Sequence, residues 1–391
     1  MDTAILFELI AAGMLLAMYV GFAFREAGSV RAKNQANAFA KAAALFAVVS
    51  IAYTVLGYHI ARGHSFLVVV STSPERVGEP VLQFLLFLTF AAAVPAIVAG
   101  ALAERARFWP QLMAALVIVG LIYPFYEAIV WSGYLRVQQL LSSSFGAEFH
   151  DFSGSVLVHV MGGWLALAAI MLLGPREGRF SKSGKPRPMM RSSLPYFVLG
   201  SWMLVLVWLG LNMMSTVLTP GLSGMVTLNS LMAITGGLLG ALVASKNNPW
   251  LVQSGGLAGL VAISAGSDVI HPIASVFVGG LAGVMFVVAF NYCRFHWKID
   301  DVVGAWPLHG LCGAWGGLAC GIFGSPQVGG QGGVALMSQI VGTLGGIGIA
   351  IVSGFGIYGL LRFGVGIRLT KKEEHEGADS AIHKIEPDGD L

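Results

Sequence analysis

The chain is dominated by long apolar stretches separated by short polar connections. A helix needs about 20 consecutive apolar residues to cross the hydrocarbon core of a bilayer. Counting such stretches along the sequence predicts an all-α integral membrane protein with eleven transmembrane helices. They lie near residues 3–24, 36–59, 80–103, 109–132, 153–174, 194–218, 226–245, 251–270, 273–293, 302–324 and 335–361.

Positive charge is concentrated in the odd-numbered connections. Cytoplasmic loops carry the excess of Lys and Arg, so this bias predicts an outside N-terminus and a cytoplasmic C-terminus. We assign residues 1–362 to a membrane domain and residues 363–391 to a cytoplasmic tail. The even connections hold only Arg62, Arg76 and Arg136, whereas the odd ones hold Arg25, Arg31, Lys33, Arg105, Arg107, Arg176, Arg179, Lys182, Lys185, Arg187, Arg191, Lys246, Arg294 and Lys298.

A histidine lies in the fifth predicted span and another in the tenth. His159 and His309 are each followed four residues later by glycine, Gly163 and Gly313. Two successive blocks of five spans must run in opposite directions, so we predict an inverted 5+5 repeat plus one extra helix. Repeats of this kind place the functional site near the midplane, where the halves meet.

Composition supports a membrane location. Apolar residues make up 56% of the 391 residues and charged residues 11%, with a mean hydropathy of +0.76, far from soluble globular proteins. The net charge of +3 suggests no nucleic-acid partner, and the partner expected from composition is membrane lipid. Small residues four apart, as in Gly279 and Gly283, indicate close helix packing. No cleavable signal is expected.

Ionisable side chains within the membrane usually face a cavity or pathway. The alternative for His159 and His309 is a pair of unrelated structural histidines bonded to backbone carbonyls. Burial disfavours the imidazolium, so neutral rings would offer a donor and an acceptor to a small neutral solute. Metal binding is disfavoured because Asp151 lies roughly 12 Å along the helix from His159. We therefore expect no metal, cofactor or catalytic residue.

Several other residues have both a structural and a functional interpretation. Trp131 fits an interfacial belt or an aromatic face for a cation. Ser215 would ordinarily bond back to its own helix, and Phe90 would pack in the core. Asp151 caps a helix or takes part in chemistry, and Asp300 and Asp301 are equally suited to capping.

Five motifs, in order along nearly the whole chain, resemble the ammonium transporter (Amt/Mep/Rh) family. They are Val-Arg-Ala-Lys-Asn at 30–34, Gly-Ala-Leu-Ala-Glu-Arg-Ala-Arg-Phe at 100–108, Asp-Phe-Ser-Gly-Ser-x-x-x-His at 151–159, Trp-x-Gly-x-Asn-x-x-Ser at 208–215, and Ile-Asp-Asp leading to Leu-His-Gly-x-Cys-Gly at 299–313.

The resemblance implies a homotrimer with one conduction path through each subunit, in the plasma (inner) membrane of the cell. By motif position, it implies that His159 and His309 are the twin pore histidines. It further implies that Trp131 and Ser215 recruit ammonium outside, that Phe90 is an outer gate, and that Asp151 is the acidic residue beneath. Trp131 favours the Amt branch.

The sequence departs from the family pattern in three places, one of which is a longer fourth outer connection. Leu211 stands at the second gating phenylalanine, and Met213 and Met214 replace a small pair before Ser215. The usual Phe-Tyr-Gly-Gly before residue 30 is replaced at residues 24–28. A leucine still closes a pore by bulk but lacks an aromatic face for a cation.

The predicted function is a non-enzymatic ammonium transporter that binds the ion outside, deprotonates it and conducts ammonia, with or without separate proton transfer. The alternatives are an ammonium sensor that does not conduct, and an intramembrane metalloenzyme, which is disfavoured. The tail would usually be disordered. Its Glu-Gly-Ala-Asp-Ser at 376–380 resembles a family segment that implies a folded cap between subunits and regulation by a PII-type protein.

Overall fold

The computed structural model describes residues 3–72, 78–216 and 221–385. Within these ranges the chain is helical, and its only β structure is two isolated bridges, between Ala106 and Arg368 and between Phe180 and Pro186. Arg76, one of the positive charges assigned to an even connection, and tail residues 386–391 lie outside the described residues. The prediction of an all-α protein is therefore confirmed for the part of the chain that is described.

Most of the helices are long and join through short loops. In chain order they are α1 Thr3–Ser29, α2 Ala32–Arg62, α3 Phe66–Thr72, α4 Gly78–Ala101, α5 Phe108–Ser132, α6 Val137–Phe145, α7 Ser155–Leu173, α8 Leu194–Ser215, α9 Ser223–Ala244, α10 Pro249–Ile263, α11 Pro272–Trp297, α12 306–323, α13 Leu336–Gly364, α14 Lys371–Glu376 and α15 Ala378–His383.

Nine helices of the described ranges are long and apolar enough to cross a membrane: α1, α2, α4, α5, α7, α8, α9, α11 and α13. The other two predicted spans coincide with α10, which has only 15 residues, and α12, which contains His309 and several glycines. The nine long apolar helices make the chain a multi-pass membrane protein. Because α10 and α12 are helical but shorter, the count of eleven crossings stays a prediction.

The outer surface of the helices is apolar. Leu206, Val243, Ile273, Val352 and Leu360 are each more than half exposed, as expected of side chains that face lipid tails. Soluble proteins rarely expose so large an apolar surface. This surface fits a multi-pass membrane protein.

Glycines bring α9, α10 and α11 into backbone contact. A methyl group added at Gly237 would collide with the backbone of Gly255 in α10, and one added at Gly283 of α11 would collide with Gly237. The predicted pair Gly279 and Gly283 packs against α9 in this way. Close packing by small residues is therefore confirmed. In lipid the hydrophobic effect does not drive helices together, so association depends on this van der Waals packing.

Two neighbouring acidic residues before α12 have different roles. Asp301 caps α12 as predicted, accepting hydrogen bonds from the backbone of Gly304 at 3.0 Å and Trp306 at 2.8 Å. The prediction that Asp300 is also a cap is wrong, because its carboxylate pairs with Arg176 at 2.8 Å and Arg179 at 3.0 Å. Burial alone would raise the pKa of Asp300, but Arg176 outweighs it and holds the pKa well below its usual range.

The tail is folded through residue 385 against the chain's own first connection. Asp379 accepts hydrogen bonds from the backbone of Ala36 at 3.1 Å and Asn37 at 2.7 Å, at the start of α2. Asn34 accepts one from the backbone of Ala378 at 2.8 Å. The interpretation of this segment as a disordered end is therefore wrong for its described residues.

Candidate functional site

Helices α7 and α12 bring His159 and His309 together. Their Nδ1 atoms are 3.1 Å apart, and the ring centroids are 5.1 Å apart at an interplanar angle of 26°. Both side chains are buried. Each histidine lies in a π-helical turn, Ser155–Val160 or Trp306–Leu311, a widened turn that is frequent at functional sites.

The glycines that follow the histidines allow this approach. A methyl group at Gly163 would collide with the backbone of Gly310, and one at Gly313 would collide with the carbonyl of Ser155. These contacts pair later residues of α7 with earlier residues of α12, so the helices run antiparallel where they cross. That is the relation expected of two inverted halves.

The two helices also begin alike, which the sequence analysis missed. An aspartate precedes each histidine by eight residues, and a glycine with positive φ follows each aspartate by three: Gly154 at 84° and Gly304 at 74°. The shared pattern is therefore Asp-x-x-Gly-x-x-x-x-His-x-x-x-Gly, longer than the His-x-x-x-Gly echo. Comparing the two halves over thirteen residues instead of five would have found it.

The paired rings leave a fully buried nitrogen, His159 Nε2, without a protein partner. The bond between the two Nδ1 atoms requires one ring to donate and the other to accept. His159 Nε2 is buried and has no hydrogen-bond partner, and the Trp208 ring packs against the imidazole with centroids 4.8 Å apart. Buried polar atoms are nearly always satisfied, so this nitrogen is available to a solute.

A cavity of about 300 Å³ lies at the Ser215 end of α8. Four of the predicted site residues line it: Phe90, Trp131, Asp151 and Ser215. Leu211 is not in its wall; it is fully buried one turn further along α8, where its carbonyl accepts the Ser215 hydroxyl at 3.0 Å. Of the seven predicted site residues, four therefore line the cavity, His159 and His309 form the ring pair, and Leu211 lies between the two groups.

Aromatic rings form one wall of this cavity. The Trp131 ring packs against Phe90 with centroids 5.2 Å apart and against Phe87 at 5.9 Å. Its indole N–H donates to the backbone carbonyl of Asp151 at 2.7 Å. Trp131 is therefore fixed in the cavity wall and packs against the core, and the choice between a belt residue and a cation-binding face stays a prediction.

The Asp151 carboxylate has one bonded and one free oxygen. Its Oδ2 accepts from the backbone of Val156 at 3.0 Å and Leu157 at 2.7 Å, which confirms the predicted cap of α7. Its Oδ1 is buried without a partner. Burial raises the pKa of Asp151 to about 6, although these backbone hydrogen bonds oppose the shift.

Ser215 bonds back to its own helix, as expected, and also accepts a hydrogen bond from the Ser153 hydroxyl at 3.0 Å. Ser153 belongs to the segment that leads into α7. The hydroxyl of Ser215 is thereby held in the cavity wall, with its proton directed to Leu211.

Two ion pairs at this cavity were not anticipated. Arg62, assigned only to an outer connection, lies over the Phe87 ring at 3.5 Å and pairs with the buried Glu127 at 2.7 Å. His150 pairs with Asp268 at 3.0 Å. Burial would lower the pKa of His150, but the hydrogen bond and charge of Asp268 outweigh it and raise the pKa. Glu127 was detectable as a carboxylate within an apolar span.

Metal-ligating side chains are dispersed. In residues 3–72, 78–216 and 221–385, no group of three His, Cys, Asp or Glu side chains is close enough to hold a metal ion.

Known proteins resemble the chain over nearly its whole length. The Ammonium Transporter Family profile matches residues 6–386. Ammonium transporter Amt2 of Methanocaldococcus jannaschii is 34% identical over 394 residues, covering 97% of this chain and 90% of that protein. The solved structure titled "Sensor Amt Protein" aligns with a TM-score of 0.87 at 26% identity, covering 96% of this chain and 97% of that one.

A second solved structure extends the fold similarity. Mep2 of Candida albicans aligns with a TM-score of 0.79 at 23% identity, covering 95% of this chain and 87% of that one. The family profile and the archaeal relative span the motifs that hold the paired histidines and the aromatic cavity. The chain therefore belongs to the Ammonium Transporter Family.

Proposed function

We propose that this protein moves ammonium across the cell membrane by binding the ion in the Trp131 cavity, removing a proton and passing ammonia along His159 and His309. The observation that carries the proposal is the ring pair, 3.1 Å between Nδ1 atoms, buried beneath an aromatic cavity. Family membership and the transporter names of the relatives support it.

Capture is assigned to the aromatic wall. Cation–π attraction contributes about 1 to 2 kcal/mol where the cation is partly desolvated. Arg62 already covers a face of Phe87, so Trp131 and Phe90 provide the open aromatic surface. The Ser215 oxygen, whose proton is directed to Leu211, accepts a hydrogen bond from the ion.

Deprotonation follows from the cost of burying charge. An intact cation at the bilayer centre costs from about 3 to more than 10 kcal/mol depending on the reference scale, and neutral ammonia avoids most of that cost. Asp151 Oδ1 has no partner and lines the cavity, so it is the nearest candidate to accept the proton. Phe90 and Leu211 separate the cavity from the rings by their bulk.

The rings then carry ammonia by hydrogen bonding. Ammonia donates to one imidazole nitrogen and accepts from another, as two neutral rings allow. His159 Nε2, which lacks a protein partner, is the first such contact. The Trp208 ring supports this imidazole from the side.

The assembly around each path belongs to the same proposal. We assign eleven crossings with the N-terminus outside, a homotrimer, and a PII-type regulator on the cytoplasmic face. The position of the Arg and Lys residues supports the orientation, and the docked tail supports a regulatory surface at that face.

A second candidate is an ammonium sensor that binds without sustained conduction. Two observations favour it: Leu211 in place of an aromatic residue, and the fold similarity to a structure titled "Sensor Amt Protein". In this case the Trp131 cavity would bind ammonium, and the buried ring pair would be closed to flux.

The test is ammonium uptake by proteoliposomes, followed by a dye for internal pH and by current on a supported membrane. We expect sustained uptake in the native protein and a loss of at least about tenfold in His159→Ala, since tenfold corresponds to about 1.4 kcal/mol. His64→Ala, an exposed histidine, is the matched control. Full ammonium-selective transport by the assembled His159→Ala protein refutes the pore role, and binding without uptake in the native protein establishes the sensor.

A further inference from the structure

Arg25 is a buried arginine within α1, although its sequence position suggested a connection. The predicted span ended at residue 24, but α1 continues to Ser29, and the Arg25 residue is 3% exposed. Its guanidinium donates to the hydroxyl of Ser201 at 2.7 Å, to that of Ser254 at 2.9 Å and to the Val303 carbonyl at 3.4 Å.

No carboxylate neutralises this guanidinium at contact distance. Across the described ranges, Arg25 is not in any ion pair. The adjacent Glu26 pairs with Lys41 at 2.6 Å, and Asp301 caps α12. Arginine keeps its proton at every relevant pH, so one unit of positive charge is fixed here.

The register of α8 relates this charge to the ring pair. Ser215, Trp208 and Ser201 are seven residues apart, two helical turns each, so they share one face. Ser215 lines the cavity, Trp208 packs on His159, and Ser201 binds Arg25. The cavity, the rings and the guanidinium therefore follow one another along α8 in steps of about 10 Å.

The start of α12 gives the same order independently. The carbonyl of Val303, in the segment that leads into α12, accepts a hydrogen bond from Arg25, and His309 lies three residues, or about 4.5 Å, after the start of α12 at Trp306. Arg25 therefore lies beyond the rings, on the side away from the Trp131 cavity. On the path proposed above, this is the side of the rings that a solute reaches after His309.

We propose that Arg25 is a specificity-determining residue that excludes cations from the inner part of the path, so that only neutral ammonia leaves past His309. The inference rests on the proposed function and specifies that ammonia, not ammonium, leaves the inner part of the path. A unit charge about 10 Å away, at an effective dielectric constant of about 20, disfavours a cation by roughly tenfold or more. Ammonia carries no charge and is not opposed.

The competing interpretation is a structural clamp that ties α1 to α8 and α10. The clamp depends on hydrogen bonds, whereas the filter depends on charge. Arg25→Lys retains the charge and changes the hydrogen bonds, and Arg25→Met removes both. Arg25→Gln keeps hydrogen bonding without charge, and it replaces Arg25→Met if the methionine protein does not assemble.

The experiment compares charge moved with ammonia moved. Proteoliposomes receive an ammonium gradient; a dye for internal pH reports ammonia entry, and current on a supported membrane reports charge. We expect Arg25→Met or Arg25→Gln to raise current per ammonia by roughly tenfold and Arg25→Lys to resemble the native protein. The matched control is the double variant Glu26→Gln, Lys41→Met, which removes a neighbouring buried ion pair between α1 and α2 and should leave the ratio unchanged.

Three results overturn the inference. The first is intact uptake with an unchanged ratio in both neutral variants, which leaves the proposed function standing. The second is a raised ratio in Arg25→Lys or in the control, which assigns the effect to packing. The third is the absence of uptake in the native protein and in the Arg25 variants, which overturns the proposed function together with this inference.

Discussion

At the scale of the single residue, Asp151 combines two roles that the sequence analysis treated as alternatives. Its Oδ2 holds the amides at the start of α7, while its Oδ1 has no partner. One carboxylate can therefore both cap the helix and accept a proton. The separation of these roles between two oxygens cannot be predicted from sequence, because it depends on the path of residues 152–155.

Asp151→Asn separates the two roles. Asparagine is as good a cap as aspartate, so we expect the variant to assemble and keep the α7 start, while ammonium uptake falls at least about tenfold because the amide accepts no proton. The thermal stability of the purified protein and proteoliposome uptake check these outcomes. Uptake at the native level would leave Asp151 with the capping role alone.

The pH dependence of uptake is a second test of proton acceptance by Asp151. Burial raises the pKa of Asp151 from 3.8 to about 6, so folding stabilises the neutral acid relative to the unfolded chain, and the ionised carboxylate that can accept a proton predominates only above about pH 6. Native uptake should therefore decline as the external pH falls through 6. Asp151→Asn should lose this dependence and should also avoid the cost of burying an ionised carboxylate at pH 7.

At the scale of the element, the helices were predictable to the extent that hydropathy defines them. Nine predicted spans coincide with apolar helices of the described ranges. A stretch of about 20 apolar residues in lipid must satisfy its own backbone hydrogen bonds, and a helix does so. The failures have local causes. The span of α10 continues as turns after 15 residues, and α1 extends through Arg25 because Ser201 and Ser254 satisfy its guanidinium.

The crossing of α7 and α12 depends on the glycine that follows each histidine. A methyl group at Gly163 has no room against the backbone of Gly310, so Gly163→Ala should force the helices apart and separate the two rings. We expect uptake to fall at least about tenfold, because a pore contact depends on geometry within about 0.5 Å. Gly345→Ala in α13 meets nothing within 4 Å and serves as the control. Equal uptake in the two variants would contradict a tight crossing.

At the scale of the whole molecule, charges that the sequence analysis used only to orient the chain form a connected network. Glu104 pairs with Arg31 at 2.5 Å and with Arg176 at 2.7 Å, and Arg176 also pairs with Asp300. These residues come from four separate connections. The local sequence pattern predicts the sign of each charge and the connection in which it lies, but the choice of partners 72 to 124 residues apart comes from the packing of the bundle.

The tail, at the other end of the chain, packs against the first connection. Asp379→Ala removes two hydrogen bonds to the start of α2, and bonds to a charged group contribute about 1.5 to 3 kcal/mol each. We expect faster hydrogen exchange and earlier proteolysis of residues 371–385. Glu376→Ala, which removes only an exposed pair with Lys372, should behave as the native protein. Identical exchange in the two variants would contradict docking through Asp379.

The thirteen-residue signature shared by α7 and α12 has a consequence for thermodynamics. Because antiparallel helices with the same start and the same histidine meet at the rings, a molecule arriving from either face encounters equivalent groups in equivalent order. The centre of the protein then has no preferred direction. With no coupled energy source in the proposed path, net movement follows the electrochemical gradient of the species that crosses, and asymmetric features outside the repeat, such as the aromatic cavity and Arg25, are proposed to select which chemical form is admitted.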